Sequence, residues 1–148
     1  MQLTRRLAFA VIGLTLCAPA IARDTPVNLP LADVVEEGIA NGQLDGSVRF
    51  YLEGQRTPAV LETFGDATSN RKTNAVGKSD AKACRWVALG ALIALQNEAR
   101  ARGANAVIGL NSQFKRRSYT DPVKFQCNAG AIMAGVGFNG TYAKVAAN

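Results

Sequence analysis

Cys84 and Cys127 are the residues whose type most directly invites chemistry. A pair of thiols can serve as a redox couple, as metal ligands or as a disulfide. The chain contains no histidine, which removes Ser-His-Asp and Cys-His catalysis and any His-ligated metal site. A metal on the two cysteines would need further ligands, and no spacing supplies them. In an oxidising compartment the simplest outcome is one disulfide closing a loop of about 44 residues. No acid pair is spaced for general acid–base work either. After Glu62 the acidic residues are Asp66, Asp80, Glu98 and Asp121, scattered along the chain. No catalytic residue, metal ligand or cofactor is therefore assigned.

The N-terminus points to that oxidising compartment. Arg5 and Arg6 precede an apolar run from Leu7 to Cys17, and small residues follow at Ala20 and Ala22. This is the order of a secretory signal peptide, with cleavage expected between Ala22 and Arg23. The run is too short to span a bilayer, which takes about 20 apolar residues. Two variants stay open: lipidation of Cys17, and twin-arginine export through Thr4-Arg5-Arg6. The expected location is periplasmic or secreted, with no membrane span in the mature chain.

Two further runs invite a ligand. Gly77-Lys78-Ser79 has the form of the end of a phosphate-binding loop, but that motif needs Gly five positions earlier, where Lys72 stands. A helix cap accounts for Ser79 without a nucleotide. Lys115-Arg116-Arg117, with Arg71-Lys72, forms a candidate patch for an anionic surface. The chain carries 17 Lys+Arg against 11 Asp+Glu, a formal charge of +6. Export argues against a nucleic-acid partner.

The elements that position these residues follow from hydrophobic spacing. With 48% apolar and 19% charged residues the chain can build a packed core. Leu31 to Asn41 reads as a short helix, after an irregular stretch containing Pro26 and Pro30. Val48 to Glu53 reads as a strand with Val48, Phe50 and Leu52 on one face. Pro58 to Phe64 reads as a second strand pairing back on it, and Gly65 to Gly77 as a polar loop. Ser79 to Arg102 is the clearest helix, with Cys84, Val87, Ala88, Ala91, Leu92, Leu95 and Ala99 on one face and Gly103 as its stop. A second apolar set, Trp86, Leu89 and Ile93, is a candidate contact face, either covered by the N-terminal segment or available to another subunit. Ala104 to Arg117 reads as a strand and Ser118 to Pro122 as a turn. Val123 to Val145 reads as extended and glycine-rich, with Ile132, Ala134, Val136 and Phe138 on one face. The expected organisation is a signal peptide over 1–22, an N-terminal segment with a short helix over 23–46, and an α+β domain over 47–148. The expected fold is a small β-α-β-β domain, one long helix on an antiparallel sheet.

Several of these runs carry a resemblance. Arg71 to Asn74, Gly77 to Asp80, Ala83-Cys84, Gly103-Ala104-Asn105-Ala106-Val107-Ile108-Gly109-Leu110, Phe125 to Gly130 and Ala134-Gly135-Val136 resemble a family of small exported bacterial proteins. That family often bears the automatic label "excinuclease ATPase subunit". The label implies intact phosphate-binding loops and zinc-binding cysteines, which this chain lacks. The helix-exit-strand pattern is also similar to YbjQ-type proteins, which implies a strand-helix-strand-strand fold, sometimes in rings. It is similar to the lipoprotein RcsF as well, which implies a disulfide-bonded envelope-stress sensor acting by protein contact. This chain has two cysteines besides Cys17, where RcsF-type proteins have four. The expected function is non-enzymatic: contact with an envelope protein or with itself, an oligomer included. A small-ligand or metal-binding oligomeric module is the alternative.

Overall fold

Helix α2 (Asp80–Ala101) forms where the sequence places it. Ser79 caps it, its hydroxyl accepting from the Lys82 backbone N–H at 3.2 Å, which satisfies one of the free donors of the first turn. Its apolar stripe is buried, Cys84, Ala88, Ala91, Leu92 and Ala99 completely so. Three alanines on that stripe, Ala88, Ala91 and Ala99, hold the helix close to the sheet beneath. The floor includes Phe125 and Phe138, fully buried with ring centroids 5.8 Å apart in an edge-to-face pair. Burial of each large apolar side chain here contributes about 1.5–3 kcal/mol.

The computed structural model describes residues 17–18 and 22–147. The signal-peptide reading therefore falls almost wholly outside the described residues. Among those described, no helix is long and apolar enough to cross a membrane.

The remaining elements are β1 (Thr25–Pro30), α1 (Leu31–Ala40), β2 (Arg49–Leu52), β3 (Val60–Asn74), β4 (Ala106–Phe114), β5 (Arg117–Tyr119), β6 (Lys124–Ala129) and β7 (Met133–Val145). The seven strands form one curled sheet in the order β1-β6-β7-β4-β2, with β3 also on β7 and β5 also on β4. The class is thus mixed helix and sheet, as the sequence implies. The short helix expected from Leu31 forms as α1, but the sheet is richer than β-α-β-β: it has seven strands, and β2 pairs with β4 in parallel while the other pairs are antiparallel.

Four local expectations are corrected. The stretch before α1 is not irregular but strand β1, paired with β6 from Thr25↔Ala129 to Pro30↔Lys124. Pro26 and Pro30 are tolerated because they alternate with residues bonding β6, so their missing N–H groups would have pointed away from the sheet. Thr25–Pro30 accordingly lies in the same sheet as the later strands. The strand from 58 does not pair with β2 and does not end at Phe64. It continues through the supposed polar loop to Asn74 as β3, beside β7. The alternation is hidden because Ala67 and Ser69 are the buried residues of its central stretch, while Asp66, Thr68, Asn70 and Lys72 face solvent. The strand from 104 turns earlier than expected, at Lys115-Arg116, and Arg117–Tyr119 returns as β5. Finally, Ile132 does not join the face of Ala134, Val136 and Phe138. It sits in the β6–β7 turn and is 66% exposed.

Helix α1 buries Leu31, Val34 and Gly38. A Cβ on Gly38 would stand 2.6 Å from Leu89 Cδ1, so glycine is what lets α1 approach α2. On the sheet face away from α2 a smaller cluster forms around Ala106, Ala143 and Val145, with Tyr51 and Ile108 packed on it.

Candidate functional site

Helix α1 and strand β2 are both tied to the core on one side only. Leu31 and Val34 pack inward, which leaves Val35, Glu36 and Ile39 along the outer flank of the helix. β2 bonds β4 on one edge, through Arg49 N–H to the Asn105 carbonyl at 3.0 Å. Its other edge faces α1. Between the two runs an open groove of about 540 Å³, walled by Val35, Ile39, Phe50 and Tyr51 and closed at one end by Pro122-Val123. Ile39 is 49% and Val123 58% exposed, so the rim is apolar as well as the floor. Glu36 and Arg49 are the charged residues on its walls. At the end of β2 the Leu52 N–H donates to Gln55 Oε1 at 2.7 Å, which leaves one fewer free donor on that edge.

The groove's walls are mostly apolar. Nearby, Asp121 accepts from Lys124 N–H at 2.7 Å and Val123 N–H at 2.8 Å, which holds its carboxyl below the ordinary range. Partial burial, with Asp121 adding, pushes the Tyr119 phenol up. One group is thus a committed carboxylate and the other a committed neutral phenol, a poor acid–base pair near pH 7.

Cys84 and Cys127 form a disulfide joining α2 to β6, both sulfurs fully buried. Cys17 is free and exposed. Ala22 is exposed, and beside it the Arg23 guanidinium bonds both Asp80 carboxylate oxygens, at 2.7 and 3.1 Å, and the Gly130 carbonyl at 3.0 Å. The Trp86-Leu89-Ile93 set is divided. Leu89 lies buried under α1, Ile93 packs against the core, and Trp86 is left 60% exposed. The chain's own N-terminal segment thus covers the Leu89 part of that face.

Gly77-Lys78-Ser79 is used locally: Ser79 caps α2, and Lys78 Nζ bonds the Asn74 carbonyl at 2.9 Å. The two basic runs do converge. Lys72 and Phe114 flank the same point above Gly135, and Lys115 lies 5.0 Å from the Phe114 ring centre. Lys115 also pairs with Asp24 at 3.2 Å, which removes part of its charge from the patch. Lys115 and Arg116 both adopt positive φ, 45° and 65°, the two-residue hairpin turn for which Asn-Gly is the ordinary choice. Arg117 opens β5 and is exposed. Among the described residues, no three His, Cys, Asp or Glu side chains gather where they could hold a metal ion.

The groove itself was missed by sequence reasoning. Its walls come from residues 31–39, 46–55 and 122–123, and only the parallel β2–β4 pairing brings β2 opposite α1. The signal available was Val35 and Ile39, two apolar residues on the flank of a short helix whose Leu31 and Val34 face inward. No protein-family model and no curated protein matches the chain.

Proposed function

We propose that this chain is a non-enzymatic envelope protein that acts by protein–protein contact, receiving an apolar segment of its partner in the α1–β2 groove. The observation that carries this reading is the groove: about 540 Å³ with an exposed apolar rim at Ile39 and Val123. Exposed apolar surface concentrated in a concavity is characteristic of a binding site. The disulfide is compatible with an oxidising compartment, which together with the leader-like N-terminus supports export to the periplasm or beyond. The resemblance to RcsF-type proteins adds envelope sensing by analogy, a role of the kind that folds do not themselves specify.

The test places a photoreactive side chain at position 39 or 123 in cells, with position 139 on the far sheet face as control. One defined adduct should form from 39 and 123 and not from 139. Once identified, the purified partner should bind the parent and lose about tenfold or more in affinity to Ile39→Asp. Equal adducts from all three positions, or unchanged binding by Ile39→Asp, would refute the reading.

The groove volume also supports a second reading, an apolar small ligand, since such sites span about 300–1,000 Å³. A native mass spectrum of protein recovered from cells separates the two. Retained mass that disappears in Val35→Trp favours the ligand, and a bare chain favours the partner.

A further inference from the structure

Strand β3 leaves one edge without a partner among the described residues. Odd-numbered residues there bond β7: Ala75 N–H donates to the Ile132 carbonyl at 2.9 Å, continuing the register Ala67↔Gly140 to Thr73↔Ala134. The even-numbered residues therefore turn their backbone N–H and C=O groups outward. Two outward carbonyls are sealed by the molecule itself, Phe64 by the Arg102 guanidinium at 2.9 Å and Asn74 by Lys78 Nζ at 2.9 Å. Between these seals Asp66, Thr68, Asn70 and Lys72 are exposed, in a register with β7 that runs unbroken from Asp66 to Asn74.

The other edges of the sheet are blunted. β1 carries two prolines, β2 has four residues and β5 three. Such devices suppress edge-to-edge pairing. β3 has 15 residues and no proline.

We propose that two copies of this chain pair antiparallel through the β3 edge, with Ser69 on the two-fold axis. One register uses all four open residues at once. It sets Asp66 opposite Lys72 of the second copy, Thr68 opposite Asn70, and the reverse of each. About eight backbone hydrogen bonds would form, two per pair. The same register places a carboxylate across from an ammonium at both ends, on the same sheet face, because Asp66 and Lys72 are six residues apart. The strand is charge-complementary to itself only when reversed, which is what a two-fold operator supplies. This surface is separate from the groove, since β2 lies beyond β7 and β4 from β3, so either assignment can fail without the other.

Sedimentation equilibrium of the oxidised protein in low salt is the test. The parent should be a dimer at micromolar concentration. Lys72→Asp, which sets Asp against Asp at both ends, should weaken dimerisation about a hundredfold. Asp66→Lys should do the same, and Asp66→Lys combined with Lys72→Asp should restore it. These side chains are solvent-exposed, so monomer thermal midpoints should stay equal. Thr68→Pro removes an outward N–H without touching the β7 ladder and should also abolish the dimer. Hydrogen exchange gives an independent reading: amides of residues 66, 68, 70 and 72 should gain protection with rising concentration, while those of 67, 69, 71 and 73 are protected throughout. A monomeric parent, or a dimer indifferent to Thr68→Pro and to both single reversals, would overturn the proposal. So would a double reversal that fails to recover what each single reversal loses.

Discussion

Removing the Cys84–Cys127 crosslink should be among the most damaging changes open to this chain. The cysteines are 43 positions apart, and closing a loop of that size lowers the entropy of the unfolded chain by an amount worth about 4 kcal/mol. Both sulfurs are fully buried. Cys84→Ala with Cys127→Ala therefore loses, in addition, about 1 kcal/mol of buried sulfur contact per site. The total, about 4–6 kcal/mol, compares with the 5–15 kcal/mol that stabilises an ordinary domain. The variant should be marginal at 37 °C. Guanidinium titration followed by the α2 helical dichroism is the suitable assay, because Trp86 is exposed and a weak fluorescence reporter of packing. The parent, refolded in reductant, keeps its sulfur atoms and should lose only the loop-entropy share. Its denaturant slope should rise, since an uncrosslinked unfolded chain exposes more surface. A reduced parent within about 1 kcal/mol of the oxidised one would refute the loop argument. An alanine variant no worse than the reduced parent would refute the packing part.

Two glycines should respond in opposite directions. A Cβ on Gly137 would stand on the Gln113 carbonyl and 2.6 Å from Asn70 Oδ1, so Gly137→Ala should cost about 1–3 kcal/mol in chemical denaturation. Gly90, inside α2, has nothing within 4 Å of that position, so Gly90→Ala should add up to about 1 kcal/mol. Acid unfolding should reflect two depressed carboxyls. Asp45 is held low mainly by hydrogen bonds from the Ser47 side chain and backbone, Asp121 by the Lys124 and Val123 N–H groups. A carboxyl with a lowered folded pKa stabilises fully above its unfolded value and loses that contribution as pH falls through the folded one. The parent should therefore weaken below about pH 4. Asp45→Asn with Asp121→Asn should be less stable at neutral pH and flatter below pH 4. A parallel offset at all pH values would refute the assignment.

The helices were legible because their signals are local. In α2 the apolar stripe, the Ser79 cap and the Gly103 stop lie within 25 residues of one another. β3 was not, because a strand at a sheet edge needs few apolar residues: Ala67 and Ser69 suffice, and the remaining polar run imitates a loop. β1 was obscured by prolines that only an edge strand tolerates. The pairing of β2 with β4 rather than with β3 is a non-local choice, and the groove depends on it. The disulfide lies where the sequence reading put it, since it needed only a compartment argument, while Leu89 lies under α1, one of the two places that reading left open.

The position of β7 along the chain carries a kinetic consequence. β3, β4 and β6 all bond to β7, yet β7 follows each of them in the sequence. Until residues 133–145 have been synthesised, the three strands have no common partner, and the β3–β7 ladder joins residues as far apart as Val60 and Val145. Long-range pairing of this kind makes folding slow, on the scale of milliseconds to seconds. A chain so arranged completes its sheet only after its last strand has emerged. Cys84 and Cys127 both precede β7, so oxidation can join α2 to β6 first and shorten the search that β7 then completes.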